Sequence, residues 1–173
     1  VHSRTPDPSA PGGRPLTAEL TAAVAGARRR AQRDGDRQID TAHLLHSLLE
    51  ADADARRALP GGPPQVARLL GYLVQRSIGY GLRWSATVED SQALPRPPAG
   101  GAPGWSPAAA TAMAAAATRA GARGARRVHG TDLLAALAHD PRCRAVDVLR
   151  RAGVDLMALD ARLHPEVRQA RSG

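Results

Sequence analysis

The sequence predicts an all-α protein: two tandem four-helix repeats related by a pseudo-twofold axis. Residues 16–49 overlay residues 105–138 at a constant offset of 89 without a gap, and ten of those 34 positions are identical. Alanine matches carry little weight in so Ala-rich a chain. The matches Arg30/Arg119, Gly35/Gly124, Arg37/Arg126, Leu44/Leu133, Leu45/Leu134 and Leu48/Leu137, all in one register, carry more. A repeated supersecondary unit buries its apolar face against its twin, so the repeat sets the architecture. Apolar residues recur at helical spacing, and no stretch alternates with period two for long enough to make a strand.

Residues 1–15 are rich in Pro, Gly and Ser and read as a disordered leader. The first helix starts at Thr17, a hydroxyl N-cap. Leu20, Val24, Ala27 and Ala31 share its inner face, Arg28, Arg29, Arg30 and Arg33 lie largely on the other, and Gly35 ends it. Thr41 is expected to cap a second helix with Leu44, Leu45, Leu48 and Leu49 as its apolar stripe. A short third helix over 54–59 ends at Pro60-Gly61-Gly62. Pro63 and Pro64 open a fourth, with Val66, Leu69, Leu70, Leu73 and Val74 pointing inward. Repeat one thus runs 16–84, and the Pro- and Gly-dense stretch 85–104 reads as a linker.

Repeat two covers 105–163. Ser106 is its N-cap and Pro107 its first helical residue, where a missing N–H costs nothing. Residues 108–123 have the strongest helix propensity in the chain. Thr131 sits at the start of a sixth helix carrying Leu133, Leu134 and Leu137. A seventh follows Pro141 through Ala152 and closes at Gly153; an eighth runs from Asp155 to about Leu163, before a flexible tail over 164–173.

Composition narrows the function classes. With 173 residues, 43% of them hydrophobic, and a mean hydropathy of −0.32, the chain suits one soluble domain with a real core. Its longest uncharged apolar run, near 108–117, is too short to span a bilayer, and no signal peptide opens the sequence. A single cysteine, Cys143, suits a reducing cytoplasm and reads as a structural thiol. The net charge of +8 would ordinarily point to nucleic acid. Here all 24 basic residues are arginine, spread in short clusters, which reads as codon bias and solvated helix faces. An arginine-rich nucleic-acid-binding domain is the alternative function, and it predicts affinity that falls steeply with salt.

Motifs at the turns carry a family likeness. Ile39-Asp40-Thr41-Ala42-His43-Leu44-Leu45 resembles the I-G-T-E-H-L-L turn of the Clp N-terminal repeat domain, the substrate- and adaptor-receiving module of Clp-type unfoldases. Trp105-Ser106-Pro107 resembles that family's aromatic-Thr-Pro opening of the second repeat. Val146–Leu149 and Arg150-Arg151-Ala152-Gly153-Val154-Asp155-Leu156 resemble its L-x-x-x-G-V-D ending. The likeness spans roughly residues 16–163. With no lysine the chain cannot hold a G-x-x-x-x-G-K-[ST] phosphate loop, so the resemblance implies a stand-alone module or a fragment without the ATPase.

The resemblance also implies a site. In some family members the turn Glu of each repeat pairs with a phosphorylated arginine, aided by the hydroxyl that opens the repeat. The hydroxyls stand here as Thr17 and Ser106, but the Glu positions hold Ala42 and Thr131. Sliding the second repeat by one would place Asp132 there, at the cost of moving Leu133, Leu134 and Leu137 out of the core pattern. A guanidinium needs a carboxylate for bidentate pairing, so the change argues against phosphoarginine recognition in the family manner.

The candidate ligand-binding residues are Thr17, Arg37, Ala42, Ser106, Arg126, Thr131 and Asp132. Thr17 and Ser106 are N-caps first; Arg37 and Arg126 occupy equivalent places before each turn and could receive acidic groups. His43 and His46 lie three apart on one helix, yet no Cys or carboxylate cluster completes a metal site, and Asp34 and Asp36 read as turn formers. No catalytic motif, cofactor or metal is expected. Trp84 and Trp105 are the largest anchors available at the seam, or core residues. The resemblance implies a non-enzymatic binder of peptides or proteins: Clp unfoldase or protease components, adaptors, degradation substrates and cyclic-peptide small molecules. Nucleic acid and membrane are not expected partners. A swap of the second repeat between protomers is a third possibility that the linker length allows.

Overall fold

The computed structural model describes residues 13–77 and 104–164. The first repeat contributes α1 (Ala18–Arg33), β1 (Gln38–Ile39), α2 (Thr41–Ala51), α3 (Ala53–Ala58) and α4 (Gly62–Ser77). The second contributes β2 (Gly104–Trp105), α5 (Pro107–Ala122), α6 (Gly130–His139), α7 (Arg144–Arg151) and α8 (Leu156–Leu163). The all-α class and the four-plus-four helix order hold among the described residues. Trp84, most of the leader, the linker residues 85–103 and the tail residues 165–173 lie outside them.

The two repeats end their first helices in the same way. Gly35 and Gly124 adopt φ of 70° and 69°, the left-handed conformation a helix C-terminus needs. The N–H groups of Asp36 and Ala125 reach back to the carbonyls of Ala31 and Ala120, both at 2.9 Å. Thr17 Oγ1 and Ser106 Oγ accept the N–H groups of Leu20 and Ala109 at 3.2 and 3.1 Å, closing both N-termini.

The second helices open differently from expectation. Asp40, not Thr41, caps α2: its carboxylate accepts the His43 N–H at 2.8 Å, and His43 Nδ1 accepts the Asp40 N–H at 3.0 Å. With both residues able to cap, the reciprocal box decided for Asp40 and left the Thr41 hydroxyl to the other repeat. There it accepts the Ala145 N–H at 3.0 Å. His129 holds the equivalent position before α6, where Asp132 accepts its N–H at 2.9 Å. The acid and the histidine have exchanged places between repeats, Asp40/His43 against His129/Asp132. The offset of 89 persists, so the gap-free register is the correct one.

Two short strands, absent from the sequence expectation, join the halves. β1 and β2 pair in parallel, with Gln38 opposite Gly104 and Ile39 opposite Trp105, and Leu16 forms an isolated parallel bridge with Val128. These contacts are reciprocal. The Thr17 N–H donates to Val128 O at 3.0 Å, and its equivalent Ser106 N–H donates to Ile39 O at 2.9 Å. The segment leading into each repeat's first helix is thus tied to the turn before the other repeat's second helix.

The core is one continuous cluster through both repeats. α2 is its axis: every residue from Thr41 to Leu49 is buried, and the helix touches α1, α3, α4, α5, α6 and α7. The α5 face of Ala109, Ala112, Ala116 and Ala120 is buried, its small side chains letting backbones approach closely. On α4, Val66, Leu69 and Leu73 are buried as expected, but Val74 is 48% exposed. The inner stripe is narrow there, and Val74 falls on its flank.

Candidate binding cleft

α3 is only six residues long, and its place depends on Asp52. The Asp52 carboxylate caps it, accepting the N–H groups of Asp54 and Ala55 at 2.9 and 3.2 Å. The same carboxylate reaches the first residue of α6, where a Cβ on Gly130 would lie 2.1 Å from Asp52 Oδ2. α3 is thereby held against the second repeat, and a depression of about 790 Å³ opens between them. Asp54, Arg57 and Ala58 form the wall from repeat one; the end of α5, the start of α6 and the end of α8 form the other.

The inner surface is a polar brace. Asp132, 1% exposed, takes a bidentate pair from Arg123, Nε to Oδ1 at 3.0 Å and Nη2 to Oδ2 at 2.6 Å. Arg119 Nε stands 3.3 Å from the same carboxylate. Arg119 also donates to the carbonyl of Leu163 and bonds His164 Nε2, tying the end of α8 to α5. Nearer the rim, Arg57 pairs with Asp54, and Arg162 Nη1 donates to the Arg57 carbonyl at 3.0 Å. Ala58, Ala122 and Leu163 supply apolar surface between these charges.

Of the sequence candidates, Thr131 and Asp132 line this cleft. Thr17 and Ser106 spend their hydroxyls on capping at the inter-repeat strands, and Ser106 is fully buried. Ala42 is fully buried in the core and offers no surface. Arg37 and Arg126 are exposed outside the cleft, and Trp105 is half-buried on β2. Sequence reasoning passed over Arg57, Arg119, Arg162 and His164. Only Arg119 carried a signal, its identity with Arg30 in the repeat, and Arg30 pairs with a carboxylate too, that of Glu50.

A second cluster departs from the expectation that no carboxylates gather at His43, because the Gly35 turn folds Asp34 and Asp36 back toward it. Asp34, Asp36 and His43 bring ligand atoms within 4.8 Å of one another. His43 Nδ1 accepts the Asp40 N–H, which places the ring proton on Nε2, 2.7 Å from Asp36 Oδ2. In this arrangement both ring nitrogens are engaged within the turn, which gives the cluster a structural role in closing the start of α2. His46, farther along α2, has its pKa lowered from 6.5 to about 4, first by burial and then by the Arg30 charge.

No family model matches the chain, and no curated protein matches it in sequence. Solved structures do. The Hsp104 N-terminal domain from Candida albicans superposes with a TM-score of 0.63 at 15% identity, covering 88% of this chain and 91% of that one. The N-terminal domain of the caseinolytic-protease-associated chaperone ClpD from Arabidopsis thaliana gives 0.60 at 18% identity, covering 88% and 94%. A structure from a malarial protein secretion system gives 0.60 at 15% identity, over 87% and 93%. The fold is that of Clp and Hsp104 N-terminal domains, as the turn motifs led one to expect. No described helix is long and apolar enough to cross a membrane.

Proposed function

We propose that the protein is a non-catalytic module that binds protein or peptide segments in the cleft between its two repeats. One observation carries this reading: a concave site of about 790 Å³, within the size range of ordinary ligand pockets, is built from both halves of the fold. Its residues are braced by ion pairs and caps rather than arranged as nucleophile, base and oxyanion donors, which supports binding over catalysis. The Clp-type fold and the turn motifs support unfolded or degradation-bound segments and adaptors as ligands. In the cytoplasm such a module would feed or compete with the equivalent domain of an unfoldase, and could sequester cyclic peptides.

Titrating the isotope-labelled protein with a reduced, carboxymethylated model protein tests the reading. Chemical-shift changes should gather at Ala58, Thr131 and Leu163. Shifts that are absent, or scattered over the exposed arginines of α1, would refute it, and tight binding of single-stranded DNA at low salt would favour the nucleic-acid alternative.

A further inference from the structure

We infer that the cleft selects acidic segments, reading carboxylate side chains with the rim arginines; this rests on the cleft being the binding site. The charges that line it do not balance. Four arginines, Arg57, Arg119, Arg123 and Arg162, face two aspartates, Asp54 and Asp132. At the inner surface the single Asp132 carboxylate is shared by Arg119 and Arg123, so one positive charge is left over there. At the rim Arg57 is neutralised by Asp54, while Arg162, among the described residues, donates to a backbone carbonyl, which cancels no charge. The surplus therefore lies both at the inner surface and at the rim of a depression whose lining also includes the apolar Ala58 and Leu163.

A concave wall carrying charge of one sign focuses its field on a ligand carboxylate. Arginine's planar fork also matches a carboxylate in a bidentate way. The complementary ligand is a short stretch in which Asp or Glu alternates with an aliphatic side chain. The equivalent corner of repeat one has the opposite character. Arg123-Gly124-Ala125 there becomes Asp34-Gly35-Asp36, with His43 in place of Asp132. The two repeats are thus electrostatically distinct, and one acidic segment should occupy one cleft. Exposed arginines on α1, such as Arg28 and Arg29, lie on a convex helix face and offer no comparable enclosure.

Fluorescence polarisation with a labelled peptide of alternating Glu and Leu tests the inference, beside the same peptide with Gln for Glu. The Glu peptide should bind at least about tenfold more tightly. The double variant Arg57→Gln/Arg162→Gln should erase most of that preference. The control Arg28→Gln/Arg29→Gln removes the same charge from α1 and should keep it; far-UV circular dichroism verifies that both variants fold. Equal binding of the Glu and Gln peptides, still lost when the cleft is altered, overturns acidic selection and leaves the cleft as the site. Equal loss in both double variants reduces the effect to bulk charge and overturns the inference. Binding of neither peptide overturns both readings.

Discussion

At Gly130 a single missing atom allows the two repeats to meet. The Asp52 carboxylate occupies the space that a side chain there would fill, with the virtual Cβ also 2.8 Å from Leu48 Cδ1. Gly130→Ala should therefore destabilise the fold by about 1–3 kcal/mol, because neither α2 nor α6 can shift without disturbing the core. Urea denaturation followed by circular dichroism would measure it. His46 makes a different demand. Its pKa is lowered from 6.5 to about 4 in the folded chain, mainly by burial, with Arg30 adding repulsion and Glu50 partly offsetting it. Between those values the unfolded chain binds a proton that the folded chain refuses. The stabilisation is complete above pH 6.5 and is lost as the pH falls toward 4. Unfolding free energy measured across that window should decline with acidification, by up to about 1 kcal/mol per pH unit from this residue. His46→Gln should flatten the slope.

At the level of elements, the matched helix ends provide an internal control. Gly35 and Gly124 share φ within one degree and the same pair of backbone bonds, with no atom within 4 Å of a virtual Cβ. Only the backbone conformation opposes a side chain. Gly35→Ala and Gly124→Ala should each cost about 1–2 kcal/mol and differ by only a few tenths. A clear inequality in melting temperature would mean that the two turns are not equivalent in energy despite their geometry. These ends were legible in the chain, since periodic apolar residues followed by glycine state where a helix stops. The start of α2 was less so. Asp40 and Thr41 are adjacent capping residues, and a histidine at the third helical position is not the usual partner of a capping box. Which of the two caps depends on Ala145 N–H claiming the Thr41 hydroxyl from the other repeat.

On the scale of the whole molecule, the described residues hold the halves together through a shared core, reciprocal backbone bonds and a buried ion pair. Arg144, 8% exposed on α7, donates to Asp40 Oδ2 at 2.8 Å, directly at the cap of α2. Arg144→Met should cost about 3 kcal/mol by leaving a buried carboxylate without its main counter-charge, and adding Asp40→Asn should recover part of it. A double-mutant cycle in denaturant would show that coupling. Because helix α2 lies inside both this contact and the common core, the loss should appear as a shift of a single unfolding transition.

The chain by itself determined the helices, their order and the twinning of the halves. Those follow from local periodicity, capping chemistry and a repeat in one register, all of which lie along the sequence. Tertiary structure alone decided the cleft. Arg57 and Arg119 are 62 positions apart in the chain, and only the docking of α3 on α6 and α8 brings them to one cleft. It also decided which residues face solvent: Ala42, a candidate on the strength of the turn motif, lies inside the core, whereas Arg162 shows no motif and stands at the rim. Burial and electrostatic balance are properties of three-dimensional neighbourhoods, and no spacing along a chain encodes them directly.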